Sequence, residues 1–372
     1  MTVDPGFTTP EMARIFSSES RVDLMCRFEA ELAAAQAEIG IVPVEAAEAI
    51  RRACVEPPGD AEGILRRGWD EGTPVKVLLD ELRTRLSDDD AGWIHHGATT
   101  QDAVDTALML QIRSALELIG ASVDHVAQAL AGLADSHRDT PLMGRTFLQD
   151  ALPTSFGARA ALWLQPLIGT ARDVDEMGNQ LPVQLGGPVG DMASFGAAGF
   201  EVAQRLAERL GLVAPPAPWH TDRTAVIKAA GLVDRAASAA AKIAADITFL
   251  SASGEIRVRA GGSSSMPHKQ NPVDALRAGA AARVCRTAVA GLIAGPPHEL
   301  ERAAGAWHAE WELVPLAFEA GAAALDATER AVDTLEVDAE RMAERAGTAE
   351  VPDVGLIDRV LEAYRSQRPD SK

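Results

Sequence analysis

Aromatic side chains make up only 4% of the 372 residues, with a single tyrosine. A core built from large flat rings is therefore excluded, and the packing has to come from aliphatic and small side chains. Cysteine occurs three times, at Cys26, Cys54 and Cys285, far apart and without a CxxC pair. That spacing argues against a disulfide framework and against a thiolate metal site, and it fits reduced thiols in a cytosol. Basic residues are outnumbered 35 to 54, for a formal charge of -19. Such a surface repels nucleic-acid phosphates and anionic lipid, so neither is expected as a partner. An anionic substrate would be repelled as well, unless Arg, Lys and helix N-termini are gathered locally around it. No stretch reaches the roughly 18 apolar residues of a membrane span, and the opening MTVDPGFTTPEM has neither the basic nor the apolar segment of a leader. A soluble cytoplasmic protein is the expectation.

What is present is helix. Apolar residues form 47% of the chain. Helical periodicity runs from Ser20 to Ile39 through Val22, Met25, Phe28 and Leu32, and Gly40 with Pro43 stops it. Short helices are expected over 44–55 and 74–87. From Gln101 to about Asp135 there is no proline, and Val104, Leu108, Ile112, Leu116, Ile119, Val123 and Val126 form a continuous stripe. A helix of that length spans about 50 Å. Further long helices are expected over 153–177, 224–253, 272–294 and 307–345, and no strands of useful length. Apolar, alanine-rich residues on more than one face of these helices imply burial between chains as well as within one. Gly, Pro, Ser, Thr and His collect instead in the connections 95–102, 141–154, 183–197, 217–223 and 254–272, where function usually sits.

The densest of these runs Gly261-Gly262-Ser263-Ser264-Ser265-Met266-Pro267-His268-Lys269-Gln270-Asn271-Pro272. GGSSS by itself reads as a flexible linker. MPHKQNP does not: a proline after Asn271 can open a helix, placing Lys269 and Asn271 beside its positive end, a natural seat for a carboxylate. A serine on a loop at such a place can act as acid or base if its oxyanion is stabilised. The run resembles the signature of the fumarase/aspartase superfamily. His95-His96-Gly97-Ala98-Thr99-Thr100-Gln101-Asp102 is similar to that superfamily's first conserved region, and Gly144-Arg145-Thr146-Phe147-Leu148-Gln149-Asp150-Ala151-Leu152-Pro153 to its second.

The resemblance implies an all-α, three-part fold whose long central helices assemble into a twenty-helix core in a homotetramer, with active sites shared between subunits. On that pattern residues 1–98 form an N-terminal helical domain, 99–346 the central bundle, and 347–372 a C-terminal part shorter than the family's third domain. The resemblance further implies that Ser263 and His95 are catalytic. Thr99, Thr100, Gln101, Arg145, Thr146, Gln149, Lys269 and Asn271 would bind a small polycarboxylate. No cofactor or metal is implied. Many lyases of the superfamily carry a histidine where this chain has Phe147. Expelling an amine or hydroxide requires a proton donor, whereas a carboxylate leaves as a stable anion, so a phenyl ring there suits ring closure to a lactone better than amine elimination. The segments Gly72–Val75, Ala193–Gly196, Pro218–Arg223 and Glu301–Trp311 also resemble the cycloisomerase branch. Arg302 is a candidate substrate contact on charge grounds and Arg223 a weaker one. Trp219, Trp307 and Trp311 read as core anchors, and Asp222 with Arg223 as a surface pair. The alternative is a C–N lyase of the adenylosuccinate or argininosuccinate type, with His95 or His220 supplying the missing donor.

Overall fold

A computed structural model describes residues 4–259, 261–262, 265–266, 269–347, 351 and 355–367. It is all-α. The N-terminal part contains α1 (Pro10–Ile15), α2 (Ser18–Glu38), α3 (Val44–Val55), α4 (Ala61–Asp70), α5 (Pro74–Arg83) and α6 (Asp88–Ala91). Ser17 and Thr73 cap α2 and α5 by accepting hydrogen bonds from Ser20 N and Val75 N, the usual repair for amides that have no partner at a helix start. The long helix α7 (Thr100–Ser136) follows, then a hairpin of β1 (Pro141–Thr146) and β2 (Gln149–Ser155), then α8 (Phe156–Leu164), α9 (Thr170–Gly178) and α10 (Gly199–Leu210). The second half is α11 (Thr224–Ser253), β3 (Ile256–Arg257), α12 (Val273–Ala294), α13 (Ala306–Asp333), β4 (Glu336–Val337), α14 (Ala339–Ala346) and α15 (Leu356–Ser366).

Two hydrophobic clusters organise these elements. One surrounds α2 and takes in residues of α3, α4, α5 and α10 together with Ala103, Val104, Ala107 and Leu110 of α7. The other fills the bundle of α7, α11, α12 and α13 from Met109 and Ile112 onward. A single helix thus crosses from one core to the other, with its first turns packed in one and the rest in the other. Alanine makes the bundle tight: Ala229, Ala230, Ala236, Ala237 and Ala240 of α11 are all buried, as are Ala320, Ala323 and Ala324 of α13. At Gly321 the helices come closer than any side chain allows, since a Cβ there would lie 2.2 Å from Val233 Cγ1.

Expected helices and observed ones differ in three places. The span 153–177 is not one helix, because β2 continues to Ser155 and Gly169, at φ 76°, separates α8 from α9. The span 307–345 breaks after Asp333, where β4 pairs with β3 before α14 begins. Strands of useful length do exist: β1 and β2 pair antiparallel, with Thr146 opposite Gln149. Their alternation is hard to read because the hairpin exposes apolar residues, among them Leu152. Pro272 is the N-cap of α12, one position before the first helical residue. Residues 347–372 contribute α15, which packs on α7 and α8. No described helix is long and apolar enough to cross a membrane.

Candidate active site

The start of α7 is a polar knot inside an apolar setting. Asp102 is fully buried, and its two oxygens receive hydrogen bonds from the backbone N–H groups of Thr99, Gly186 and Gly187, each at 2.9 Å. His220 Nε2 adds a fourth at 2.7 Å. One carboxylate therefore closes the end of α7, fixes the 186–187 turn and anchors a buried imidazole. Beside it, Gln101 donates to Asp105 Oδ2, one turn on, at 3.0 Å and to the His220 carbonyl at 2.9 Å.

Arg302 completes this end of the helix, donating to Gln101 Oε1 at 3.2 Å and to Thr99 Oγ1 at 2.9 Å. A half-buried guanidinium thus sits at the positive terminus of a 37-residue helix. That combination favours an anion. His95 belongs to the same group. It holds a left-handed backbone, φ 62°, and its Nδ1 lies 2.7 Å from Glu29 Oε1. Thr100 is the first helical residue and is half-buried.

Beneath the knot lies a buried charge cluster. Arg223, whose side chain is fully buried, donates to Asp105 Oδ2 at 2.8 Å and to Glu310 Oε2 at 2.6 Å. It stacks over Trp219 at 4.9 Å, and Trp307 Nε1 donates to Asp105 Oδ1 at 2.9 Å. Burial alone would lower the Arg223 pKa, but two carboxylates outweigh it and the net shift is upward. Burial raises Glu310, against the pull of Arg223. Arg223 is accordingly committed to structure. The surface pair expected between Asp222 and Arg223 is absent, because Asp222 accepts from Thr224 N at 2.9 Å instead. Trp219 and Trp307 are core residues, whereas Trp311 is half-buried under the Arg21 guanidinium, 4.8 Å from its ring.

The second group is the hairpin. The Arg145 side chain is 8% exposed and donates to Glu255 Oε2 at 2.7 Å and Asp150 Oδ1 at 3.2 Å. Thr146 and Gln149 are exposed and close a two-residue turn made of Phe147 and Leu148. Both turn residues are left-handed, at φ 51° and 62°, a geometry that normally selects Asn-Gly. Phe147 is 99% exposed.

The third group is the 261–272 loop. Gly261 and Asn271 pair as an antiparallel bridge, Gly261 N to Asn271 O at 2.9 Å and Asn271 N to Gly261 O at 3.2 Å. Lys269 is exposed, and its backbone N–H donates to the Met266 carbonyl. Ser263 lies outside the described residues. Within one chain, no hydrogen bond or ion pair among the described residues joins these three groups.

Sequence reasoning missed Glu29, Asp102, Asp105 and Glu310. A signal existed for the first: Glu29 and Gln36 are polar residues on the buried side of α2, among Val22, Met25, Phe28 and Leu32. Asp102 stands three residues after Thr99, which is capping-box spacing.

Comparison with known proteins identifies the family. The family described as Lyase matches residues 6–285. The chain is 38% identical over 355 residues to a 3-carboxy-cis,cis-muconate cycloisomerase of Pseudomonas aeruginosa, covering 92% of this chain and 77% of the relative. It superimposes at a TM-score of 0.85 on the crystal structure of 3-carboxy-cis,cis-muconate lactonizing enzyme from Pseudomonas putida, with 37% identity, 91% of this chain and 78% of that one. The crystal structure of a fumarate lyase from Mesorhizobium sp. BNC1 gives the same TM-score of 0.85, with 34% identity over 91% of this chain and 78% of that one. The chain belongs to the lyase family of the fumarase/aspartase superfamily, and it is an enzyme of that group.

Proposed function

We propose that the chain is a homotetrameric, cofactor-free 3-carboxy-cis,cis-muconate cycloisomerase, interconverting that tricarboxylate with 4-carboxymuconolactone in the cytoplasm during aromatic-compound breakdown. The observation that carries the reading is Phe147. It stands with Leu148 at the tip of an exposed hairpin where amine elimination calls for a proton donor; of the two substitutes, His220 is buried with Nε2 committed to Asp102, and His95 is held through Nδ1 by Glu29 at the start of α7. The names of the relatives point the same way.

Assembly is supported by two features. The accessible surface of 17606 Å² exceeds the roughly 14,000 Å² expected of a compact 39.2 kDa monomer. Phe147, Leu148, Leu152, Leu276 and Ile293 are all more than half exposed. A tetramer would cover such residues and bring the three groups together from different subunits, with 1–98, 99–346 and 347–372 as the domains of each.

In the proposed mechanism His95, Thr99, Thr100, Gln101 and Arg302 hold one carboxylate at the start of α7. Lys269 and Asn271 of one neighbour and Thr146 and Gln149 of another hold the remainder and fold the substrate for closure, while Arg145 fixes the hairpin through Glu255 and Asp150. A carboxylate oxygen forms a C–O bond at the carbon β to the acceptor carboxylate. The displaced π electrons move into that carboxylate as an aci-anion, stabilised by Lys269 and Thr99. Ser263 delivers its proton to the α carbon and recovers one from solvent. In the reverse direction the serine takes the proton back and the ring carboxylate leaves.

Adding purified protein to 3-carboxy-cis,cis-muconate without metal should abolish the diene absorbance and yield a γ-lactone by NMR, and a chelator should change nothing. Fumarate release from adenylosuccinate or argininosuccinate, with the muconate untouched, would replace this reading by the lyase one. Ser263→Ala is expected to keep the assembly and lose nearly all turnover.

A further inference from the structure

The carboxylate of Glu29 is 1% exposed and sits on the apolar face of α2. A charge in that position costs several kcal/mol unless something compensates it. Among the described residues its only hydrogen-bonding partner is His95, at 2.7 Å from Nδ1, and its second oxygen has none. Two helical turns further along α2, the buried Gln36 donates from Nε2 to the His96 carbonyl at 2.9 Å. One helix thus grips two consecutive residues of the turn leading into α7, through polar side chains at positions its packing would otherwise fill with apolar ones. The turn is gripped in an unfavourable state, because a non-glycine residue at φ 62° costs about 1–3 kcal/mol.

The grip settles which edge of the imidazole is free. A carboxylate only accepts, so the ring proton facing Glu29 is on Nδ1. Nε2 is buried and has no hydrogen-bonding partner among the described residues. We propose that Glu29 is a positioning residue for His95, holding the ring so that a protonated Nε2 binds a substrate carboxylate beside Arg302 at the start of α7. His95 is then a carboxylate-binding group and not the base. The cycloisomerase reading enters only in naming the carboxylate.

The charge state agrees with the geometry. Burial by itself would lower the His95 pKa. The charge and hydrogen bond of Glu29 from α2, with Asp102 from α7, outweigh burial and the opposing Arg83 of α5, and the net shift is upward. While charged, His95 offers Nε2–H to an anion. Once neutral it keeps its bond to Glu29 and turns a lone pair toward the ligand, so carboxylate binding weakens as pH rises through the His95 midpoint.

The test follows the His95 ring by nitrogen-edited NMR in the ligand-free protein, and uses tricarballylate as a non-reacting tricarboxylate probe. Glu29→Gln preserves shape and a hydrogen-bond acceptor while removing the charge. Its His95 midpoint should fall, because the carboxylate that raises it is gone. Tricarballylate should bind about tenfold more weakly than to the unmodified protein at pH 7.5 and equally well at pH 5. With the muconate, KM should rise while kcat stays within about twofold, and Glu29→Asp should restore much of the affinity. An unchanged midpoint, an affinity loss independent of pH, or a fall in kcat at constant KM would overturn the proposal. Should Glu29→Gln not fold, His95→Gln decides: its tricarballylate affinity must lose the decline with rising pH, and persistence of that decline refutes the role. Failure to turn over the muconate, with the midpoint shift and probe binding intact, would remove the substrate assignment and leave Glu29 in place.

Discussion

The two ends of the β1–α7 neighbourhood treat polar and apolar groups in opposite ways. At the start of α7, Asp102 meets four donors and Arg223 meets two carboxylates, all within one chain and out of water. At the tip of the hairpin, Phe147 and Leu148 are apolar, left-handed and almost bare. In the first region these charged groups meet their partners inside the chain. The second carries both strain and exposed hydrophobic surface, and the chain alone offers nothing in return for either. A protein spends stability in this way where another surface will meet the exposed one. The contrast separates a scaffold that each chain builds for itself from a contact that it extends to a neighbour.

Removing the charge that balances the scaffold should have the largest effect. Arg223→Met leaves Asp105 and Glu310 facing each other in a buried space, and a loss of about 3–5 kcal/mol in denaturant unfolding is expected. A loss under 1 kcal/mol would show that the cluster is solvated after all. Thr99→Ala should be milder, about 1 kcal/mol, since it removes the hydroxyl that Arg302 uses while Asp102 still holds the backbone. Its greater consequence is expected in KM.

The hairpin should respond in the other direction. Phe147→Asn combined with Leu148→Gly supplies the residues that a left-handed two-residue turn prefers, and the isolated subunit should gain about 1 kcal/mol. The same pair of changes should weaken assembly, seen as a concentration-dependent shift toward smaller species in analytical ultracentrifugation. A more stable subunit that assembles normally would contradict the contrast drawn above. The smallest effect concerns pH. His95 has its pKa raised in the folded chain, so its contribution to stability is full below its unfolded value and is lost as pH rises through the folded one. Unfolding midpoints taken across that interval should decline in the natural chain and decline less in Glu29→Gln.

Long helices were the legible part of the sequence, because α7, α11 and α12 carry uninterrupted apolar patterns over many turns, and their observed ends fall within about a residue of the expected ones. The hairpin was not legible. Period-two alternation needs one face buried, and Leu152 and Phe147 violate it. The expected helix 307–345 failed for a related reason: α14 continues the helical composition beyond a strand of two residues, β4, that no periodicity reveals. Of the site, the motif residues were visible through their resemblance to a family, while Asp105, Glu310 and Glu29 were not. Each of these acts across a long stretch of sequence, and a lone acid inside an apolar stripe has no meaning until its partner is found.

Gly321 shows how far from the chemistry such constraints reach. With only 2.2 Å between a would-be Cβ and Val233 Cγ1, α13 can rest on α11 in one lengthwise alignment, since sliding by a residue would drive an alanine methyl into valine. Glu310 lies eleven residues nearer the start of α13, about 16 Å away along a helix. The missing methyl thus works as a ruler mark, setting from the middle of the bundle where Glu310 and Trp307 arrive against α7.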